Sequence, residues 1–238
     1  MVEPLLDVRD LAAGYAGREV LFGLNCRICS GELVAVVRPN GHGKTTLLRA
    51  ISGLVRPSRG EILFAGEPLT RLRPDAIVAR GVVHVPQGDW LFPGMSVIEN
   101  LLMGAYLPAA GVRASDRLDF VLSLLPKLAE RRRQLASTLS GGERRMVAIG
   151  RGLMAGGSLL MLDEPSLGLA PIVIDQIYEL VFALKSSGRT ILLVEENAAR
   201  VADHADRMLL LDNGAFIWEG RGPDLMLRPE IVETYLGG

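Results

Sequence analysis

Short, continuous apolar runs recur along the chain and are the clearest pattern in the sequence. Runs of this length, rich in Leu, Val and Ile and without alternation, are typical of strands buried on both faces of a sheet. They therefore predict a buried sheet at the centre of the protein. The runs are Leu33–Val37, Glu61–Phe64, Val82–Val85, Leu159–Leu162, Thr190–Val194, Met208–Leu211 and Ala215–Trp218.

Helix-like segments lie between several of these runs. Apolar residues at helical spacing predict helices at Thr45–Ile51, Ile172–Ser186 and Ala198–Ala205. Because strands that alternate with helices form parallel sheets, we predict the α/β class with a mostly parallel sheet. The sequence Asp212-Asn213-Gly214 predicts a hairpin between the last two strands.

The pattern changes between about residues 96 and 156. Strand-like runs disappear there, and helical periodicity replaces them. We interpret this stretch as a helical subdomain inserted into a single domain of residues 1–238. The run Arg131–Arg133 inside it is interpreted as a solvated helix end rather than a binding patch. The residues that carry the helical spacing are Leu118, Val121, Leu122, Leu125 and Leu128.

Composition excludes several classes of protein. The chain has 238 residues and a net charge of −1, which argues against a strongly basic nucleic-acid binder. No apolar run approaches the roughly 18 residues of a membrane-spanning helix, and the first residues do not resemble a secretory signal, so we expect a soluble intracellular protein. Cys26 and Cys29 have no second pair with which to form a zinc site, and we interpret them as inert thiols.

A glycine-rich segment directly follows the run Leu33–Val37 and precedes a predicted helix. Such glycines let backbone N–H groups approach phosphates, and the helix N-terminus favours an anion. In this arrangement Lys44 suits the β- and γ-phosphates and the Thr45 hydroxyl suits Mg²⁺. We predict a P-loop here, the alternative being a glycine-rich turn into a helix. The segment reads Arg38-Pro39-Asn40-Gly41-His42-Gly43-Lys44-Thr45-Thr46.

Two carboxylates, Asp163 and Glu164, follow the buried run Leu159–Leu162. The carboxyl ends of parallel strands border the ligand crevice of open α/β sheets. Asp163 is therefore predicted to hold Mg²⁺, and Glu164 to polarise a water molecule aimed at the γ-phosphate. A surface turn is the alternative.

A second phosphate-binding pattern lies upstream, at Ser140-Gly141-Gly142-Glu143. Ser140 and Glu143 have the spacing of a capping box at the start of a helix. The two glycines leave backbone N–H groups exposed at that helix N-terminus, where an anion is favoured. A chain with one P-loop needs no second phosphate site for its own nucleotide, so we predict that these residues contact a nucleotide held by another subunit.

Taken together, these motifs resemble the nucleotide-binding subunits of ATP-binding cassette (ABC) transporters, in their order and over the whole chain. The resemblance implies a P-loop ATPase core with an antiparallel β subdomain and a helical subdomain. It also implies that Tyr15 stacks on adenine, and that Gln87 contacts the metal site and senses the membrane subunit. Ser140, Gly141 and Gly142 then correspond to the signature that closes over the partner's ATP, with Glu143 beside them.

The residues after Glu164 resemble a narrower group, the branched-chain amino acid importers, and among these the second, shorter ATPase subunit. Ala170, for example, stands where the wider family has aspartate. The resemblance implies ATP and Mg²⁺ as cofactors, and a homo- or heterodimer at the cytoplasmic face of the cytoplasmic membrane. It also implies two membrane-spanning permease subunits and an extracytoplasmic binding protein as partners, and no nucleic acid.

Two site residues depart from the wider family. Arg38 replaces the first P-loop glycine, and Glu196 replaces the switch histidine that donates toward the γ-phosphate, which an ionised glutamate cannot do. The Glu196 side chain is therefore protonated, turned away from the phosphate, bridged to it by a cation such as Arg38, or part of a weak site. We favour the interpretation that the changes at Arg38 and Glu196 are independent of each other. A urea or amide importer, a lipid exporter and a weakened regulatory subunit stay open as alternatives.

Overall fold

Two β-sheets and a set of helices make up the protein in the computed structural model, which describes residues 3–37, 43–107 and 112–231. The strands are β1 (Leu6–Tyr15), β2 (Arg18–Ile28), β3 (Leu33–Val37), β4 (Pro57–Phe64), β5 (Glu67–Pro68), β6 (Val82–Val85), β7 (Leu159–Asp163), β8 (Thr190–Glu195), β9 (Arg207–Asp212) and β10 (Ala215–Gly220). The helices are α1 (Lys44–Ile51), α2 (Pro74–Ala79), α3 (Val97–Met103), α4 (Ala114–Leu124), α5 (Pro126–Glu130), α6 (Gly141–Met154), α7 (Pro171–Ser186), α8 (Gly222–Met226) and α9 (Pro229–Ile231).

The larger sheet has six strands in the order β10-β9-β3-β8-β7-β6. The five strands from β9 to β6 are parallel, and only β10 runs antiparallel, paired with β9 in a hairpin. Asn213 and Gly214 at the hairpin turn both have positive φ, which matches the right-handed twist of the flanking strands. The prediction of a mostly parallel sheet is confirmed.

Both faces of this sheet are covered, as the unbroken apolar runs predict. On β3, Leu33, Ala35 and Val37 belong to the core shared with α6 and α7. The alternate residues Val34 and Val36 belong to the core shared with α1 and the second sheet. Since successive side chains of a strand point to opposite faces, burial on both faces requires the apolar residues to be continuous.

The second sheet is antiparallel, in the order β2-β1-β4-β5. The resemblance implied this β subdomain, but the apolar pattern predicted only its Glu61–Phe64 strand. The α/β class, with its parallel core, antiparallel sheet and helical insertion, is confirmed.

Helices α3, α4, α5 and α6 occupy the region that was predicted to be helical. Helix α6 contacts both α3 and α4. Gly150 allows this approach, because a Cβ there would lie 2.8 Å from Leu101 Cδ2. Arg131, Arg132 and Arg133 are exposed just after α5. Within the described ranges, no helix has both the length and the apolar character needed to cross a bilayer.

One predicted helix is wrong. Residues 198–205 do bury Ala198, Val201, Ala202 and Ala205 at helical spacing. However, they form a 3₁₀ turn at Ala198–Arg200 followed by further turns. Val201 N–H bonds to Ala198 three residues back, whereas Ala205 N–H bonds to Val201 four residues back. Successive single turns therefore produce the spacing without a continuous helix.

Candidate functional site

The candidate site lies at the carboxyl edge of the parallel sheet, where β3, β7 and β8 end side by side. Val37 at the end of β3 pairs with Glu195 at the end of β8, and Asp163 at the end of β7 pairs with Val194. The register therefore brings the start of α1, the predicted metal ligand and the predicted switch segment to one edge. This is the edge at which open α/β sheets bind ligands.

Two residues that are distant in sequence from Glu164 meet at its carboxylate. Lys44 Nζ lies 2.7 Å from Glu164 Oε1, and both side chains are buried. The Gln87 Nε2 group donates a hydrogen bond to Glu164 Oε2 at 3.2 Å. A phosphate that binds the ammonium of Lys44 therefore lies beside the Glu164 carboxylate, as in-line activation of a water molecule requires.

The backbone at Glu164 is also unusual. Its φ is +44°, in the left-handed region that side chains other than glycine rarely adopt. Its N–H donates to Val194 O at 3.0 Å, so β8 holds this turn in place. Strained backbone of this kind concentrates at functional sites, where the surrounding structure enforces it.

Asp163 has the surroundings of a metal ligand. Its carboxyl group is buried, and neither oxygen has a hydrogen-bond partner among the described residues. Burial raises the pKa of Asp163, and the nearby Thr45 hydroxyl opposes this rise without forming a hydrogen bond of ordinary geometry. A buried carboxylate with no hydrogen-bond partner of ordinary geometry among the described residues, near the Thr45 hydroxyl, fits a hard cation such as Mg²⁺.

Four of the nine predicted P-loop residues lie within the described part of the chain. Gly43 caps α1 with φ +105°, and a Cβ at this position would lie 2.7 Å from Leu21 Cδ2, so the turn requires glycine. Lys44, Thr45 and Thr46 open the helix. The other predicted residues, Arg38, Pro39, Asn40, Gly41 and His42, lie outside the described residues, and so does the suggested pairing of Arg38 with Glu196.

Tyr15 lies beside the same helix. Its hydroxyl accepts a hydrogen bond from Arg49 Nη1 at 3.3 Å and a longer one from Thr46 Oγ1 at 3.5 Å. The side chain is 43% exposed, at the edge of an open cavity that Arg18 and Phe22 also line. An exposed aromatic face near the start of α1 suits the stacking of a planar base.

The signature residues form the predicted capping box at the start of α6. Ser140 Oγ accepts the Glu143 N–H, and the Glu143 carboxylate accepts the Ser140 N–H and hydroxyl. These hydrogen bonds from Ser140 lower the pKa of Glu143, and Arg131 pairs with it at 3.1 Å. Gly142 packs so closely that a Cβ would lie 2.5 Å from Val173 Cγ1.

Two arginines that the sequence did not single out connect α6 to the segment around Gln87. Arg145 Nη1 donates to Gly88 O at 2.7 Å and to Pro86 O at 3.4 Å, the carbonyls on either side of Gln87. Arg144 pairs with Asp89 at 2.8 Å. The signature helix and the glutamine that contacts Glu164 are thus mechanically joined. These contacts span more than 50 residues, and no local pattern indicates them.

The end of β8 contains a further residue, Glu195, to which the sequence assigned no role. Glu195 is buried, whereas the predicted switch residue Glu196 is half-buried. Glu196 lines a cavity of about 340 Å³ together with Glu164, Ser166 and Arg200. The role of Glu196 toward the γ-phosphate stays a prediction, and Arg200 brings a cationic residue to the same cavity.

Comparison with known proteins identifies the family. The profile described as ABC transporter matches residues 21–167, more than half of the chain. The chain belongs to the ABC transporter family. It is an ATP-binding subunit that hydrolyses ATP.

Curated relatives of this family cover nearly the whole chain. The high-affinity branched-chain amino acid transport ATP-binding protein BraG of Pseudomonas aeruginosa is 40% identical, with 96% of this chain and 98% of the relative aligned. The probable branched-chain amino acid transport ATP-binding protein LivF of Archaeoglobus fulgidus is 35% identical, with 98% of this chain and 99% of the relative aligned. The lipopolysaccharide export ATP-binding protein LptB of Haemophilus influenzae is 31% identical over 98% and 97%.

Solved ABC cassettes have the same architecture. A nucleotide-free ATP-binding cassette superposes with a TM-score of 0.86 at 27% identity, over 97% of this chain and 98% of that one. The ADP conformation of another cassette superposes with a TM-score of 0.87 at 27% identity over the whole of both chains. Both are ATP-binding cassettes of ABC transporters.

The contacts of Glu164 generate the first prediction. Glu164→Gln keeps the size of the side chain but removes the base, so turnover should fall by about 10²- to 10⁴-fold. ATP binding should persist, because Lys44 no longer forms its buried ion pair with residue 164 and its ammonium group can bind the phosphates instead. Steady-state ATPase assays together with ATP titrations measure both quantities. Turnover near that of the wild type would remove Glu164 from this role.

The arginine that holds the Gln87 segment generates the second prediction. Arg145→Met should lower kcat about tenfold, since displacing a reacting group by 1 Å can cost roughly 10²-fold. Arg117→Met is the matched control: Arg117 is also buried in the helical region, but its Nη1 donates to Ala155 O at 3.2 Å, away from Gln87. Both variants should lose thermal stability, and equal turnover in the two would contradict the role of Arg145.

Proposed function

We propose that this chain binds and hydrolyses Mg²⁺-ATP at the Lys44, Asp163 and Glu164 site, and that hydrolysis drives import of branched-chain amino acids across the cytoplasmic membrane. The observation that carries the catalytic part is the contact of Glu164 with both Lys44 and Gln87. In this proposal Glu164 is the base, Lys44 is the cation that binds the phosphates, and Gln87 is the polar sensor.

Each side chain has a distinct task in this proposal. Lys44 neutralises charge on the β- and γ-phosphates, and Glu164 accepts a proton from the attacking water. Gln87 orients Glu164 through its amide N–H. Thr45, Gln87 and Asp163 would hold Mg²⁺, which when bound supplies charge neutralisation to the phosphates. Tyr15 stacks on the adenine.

A second subunit completes the site. The start of α6 presents backbone N–H groups at an exposed helix terminus, and Ser140 lies at the surface. Arg131 neutralises the Glu143 carboxylate, which reduces its repulsion of a phosphate there. We therefore infer that Ser140, Gly141 and Gly142 bind the ATP of a partner subunit, so that two nucleotides lie between two chains.

Membrane-spanning permease subunits are the proposed partners on another face. Exposed apolar side chains lie before α3, in its last turn and directly after it in sequence. The indole N–H of Trp90 donates to Gln87 O at 2.7 Å, so a contact made at Trp90 reaches the segment that touches Glu164. We infer that these exposed apolar side chains, which are close in sequence, contact a permease subunit. The side chains are Trp90, Phe92, Leu102, Met103 and Tyr106.

The transported substrate is proposed from the relatives. Those named for branched-chain amino acid transport reach 40% and 35% identity over nearly full length. An extracytoplasmic binding protein would then deliver the amino acid to the permease. Lipid export is the second candidate, supported by lipopolysaccharide export relatives at 31% and 32% identity.

Two matched capping boxes test the partner site. Ser140→Ala should weaken ATP-driven dimerisation about tenfold, because a hydrogen bond to a charged group contributes about 1.5 kcal/mol. Ser96→Ala is the control: Ser96 caps α3 through the same reciprocal bonds to Glu99, but it is buried. Each variant should lose about 1 kcal/mol of stability from its cap.

The measurement is sedimentation with ATP in the Glu164→Gln background, where nucleotide persists. Dimers that weaken equally in both variants would reduce the motif around Ser140 to a simple helix cap.

Purification of the assembled transporter tests the substrate. A tagged chain extracted from source membranes should bring two membrane-spanning subunits with it. Reconstituted in vesicles with the associated binding protein, its ATPase rate should rise with leucine, isoleucine or valine and not with urea. Stimulation by a lipid in the absence of any binding protein would favour export instead.

A further inference from the structure

A buried carboxylate, Glu195, joins three segments behind the candidate site. It accepts hydrogen bonds from the hydroxyl of Tyr178 on α7 and from Ser166 Oγ at 3.2 Å. It also accepts the Glu196 N–H at 2.9 Å and the Asn197 N–H at 3.4 Å. Glu195 is 3% exposed, so these donors take the place of water.

Two of the segments joined in this way line the cavity that contains Glu164. Ser166 lies two residues after Glu164, in the loop that leads toward α7. Glu196 follows Glu195 at the switch position and lines the same cavity as Glu164. One carboxylate therefore fixes the loop on one side of the cavity and the switch backbone on the other.

Tyr178 sets the direction of the Glu195 carboxylate. Burial raises the pKa of the Tyr178 hydroxyl, which therefore keeps its proton and remains a donor. The ring is 5% exposed and tilts against Phe182 at a centroid distance of 5.8 Å, which limits its movement. A rigid donor on a long helix is a suitable anchor for a flexible glutamate.

We propose that Tyr178 and Glu195 are positioning residues for ATP hydrolysis, which hold Ser166 and the Glu196 backbone in register with Glu164. Neither residue reaches the nucleotide in this proposal. Glu195 acts through backbone N–H groups and Tyr178 acts through Glu195. The inference rests on the ATP site proposed above.

The test separates positioning from folding. Tyr178→Phe removes one hydroxyl and should lower kcat about fivefold with KM for ATP changed less than about twofold, because misplacement affects the chemical step. Thr190→Val is the matched control: Thr190 is also buried, at the opposite end of β8, and its hydroxyl accepts the Gly31 N–H at 2.9 Å. The control should keep kcat, while both melting temperatures fall by about 2–4 °C.

A second pair of variants addresses Glu195 itself. Glu195→Gln keeps an oxygen for the Glu196 and Asn197 N–H groups and should retain most of the turnover. Glu195→Leu has a similar volume but no acceptor, and its kcat should fall at least about tenfold. The assays use the assembled transporter with Mg²⁺-ATP, because a partner subunit completes the proposed ATP site.

The outcomes distinguish this inference from the proposed site. If Glu164→Gln is inactive while Tyr178→Phe matches Thr190→Val in kcat, the positioning role is overturned and the site stands. If Glu195→Gln and Glu195→Leu lose turnover equally, the acceptor role is also overturned. If Glu164→Gln keeps its turnover, the site is wrong and the inference falls with it.

Discussion

The structure depends on how acidic groups are kept at the dry edge of a parallel sheet. Asp163, Glu164 and Glu195 are all buried there, and each charged carboxylate would cost several kcal/mol without compensation. Glu164 is compensated by Lys44 and Gln87, and Glu195 by two hydroxyls and two N–H groups. Asp163 has no hydrogen-bond donor within the described part of the chain. At this edge Glu164 is therefore paired with a cationic side chain and Glu195 accepts several hydrogen bonds. Asp163 is the carboxylate best suited to bind a metal cation.

The pairing of Lys44 with Glu164 connects fold and chemistry. In the proposed mechanism α1 presents Lys44 to the phosphates and the end of β7 presents Glu164 to the water, so both side chains have to reach the same point. Parallel strands of matched length bring this about, because their carboxyl ends meet in one crevice. A phosphate that attracts Lys44 competes directly with Glu164, since one ammonium group serves both anions. Nucleotide binding is therefore coupled to the ion pair between Lys44 and Glu164.

The sequence predicted those parts of the fold and of the candidate site that depend on local patterns of residues. Unbroken apolar runs such as Leu33–Val37 identified the parallel strands, since burial on both faces leaves no room for alternation. Strands β1 and β2 were not predicted, because polar residues interrupt their apolar pattern and their pairing contains irregularities. Motifs located Lys44, Glu164 and Ser140, but their partners required the folded chain. Arg145 meets Gly88 across 57 residues, and Tyr178 meets Glu195 across 17, distances over which no periodicity operates.

Glu195 at the end of β8 and Glu196 directly after it have different surroundings. Glu195 directs its carboxylate toward Tyr178 and Ser166, and it anchors the backbone of Glu196. The half-buried Glu196 side chain is thereby left at the cavity with Glu164, where a charge about 4 Å from a phosphate would cost about 4 kcal/mol at an effective dielectric of 20. Arg200 lines that cavity and offers a guanidinium to offset this repulsion. We therefore propose that neighbouring groups outside the motif accommodate the departure from histidine, because a substitution at one motif position does not by itself indicate a degenerate site.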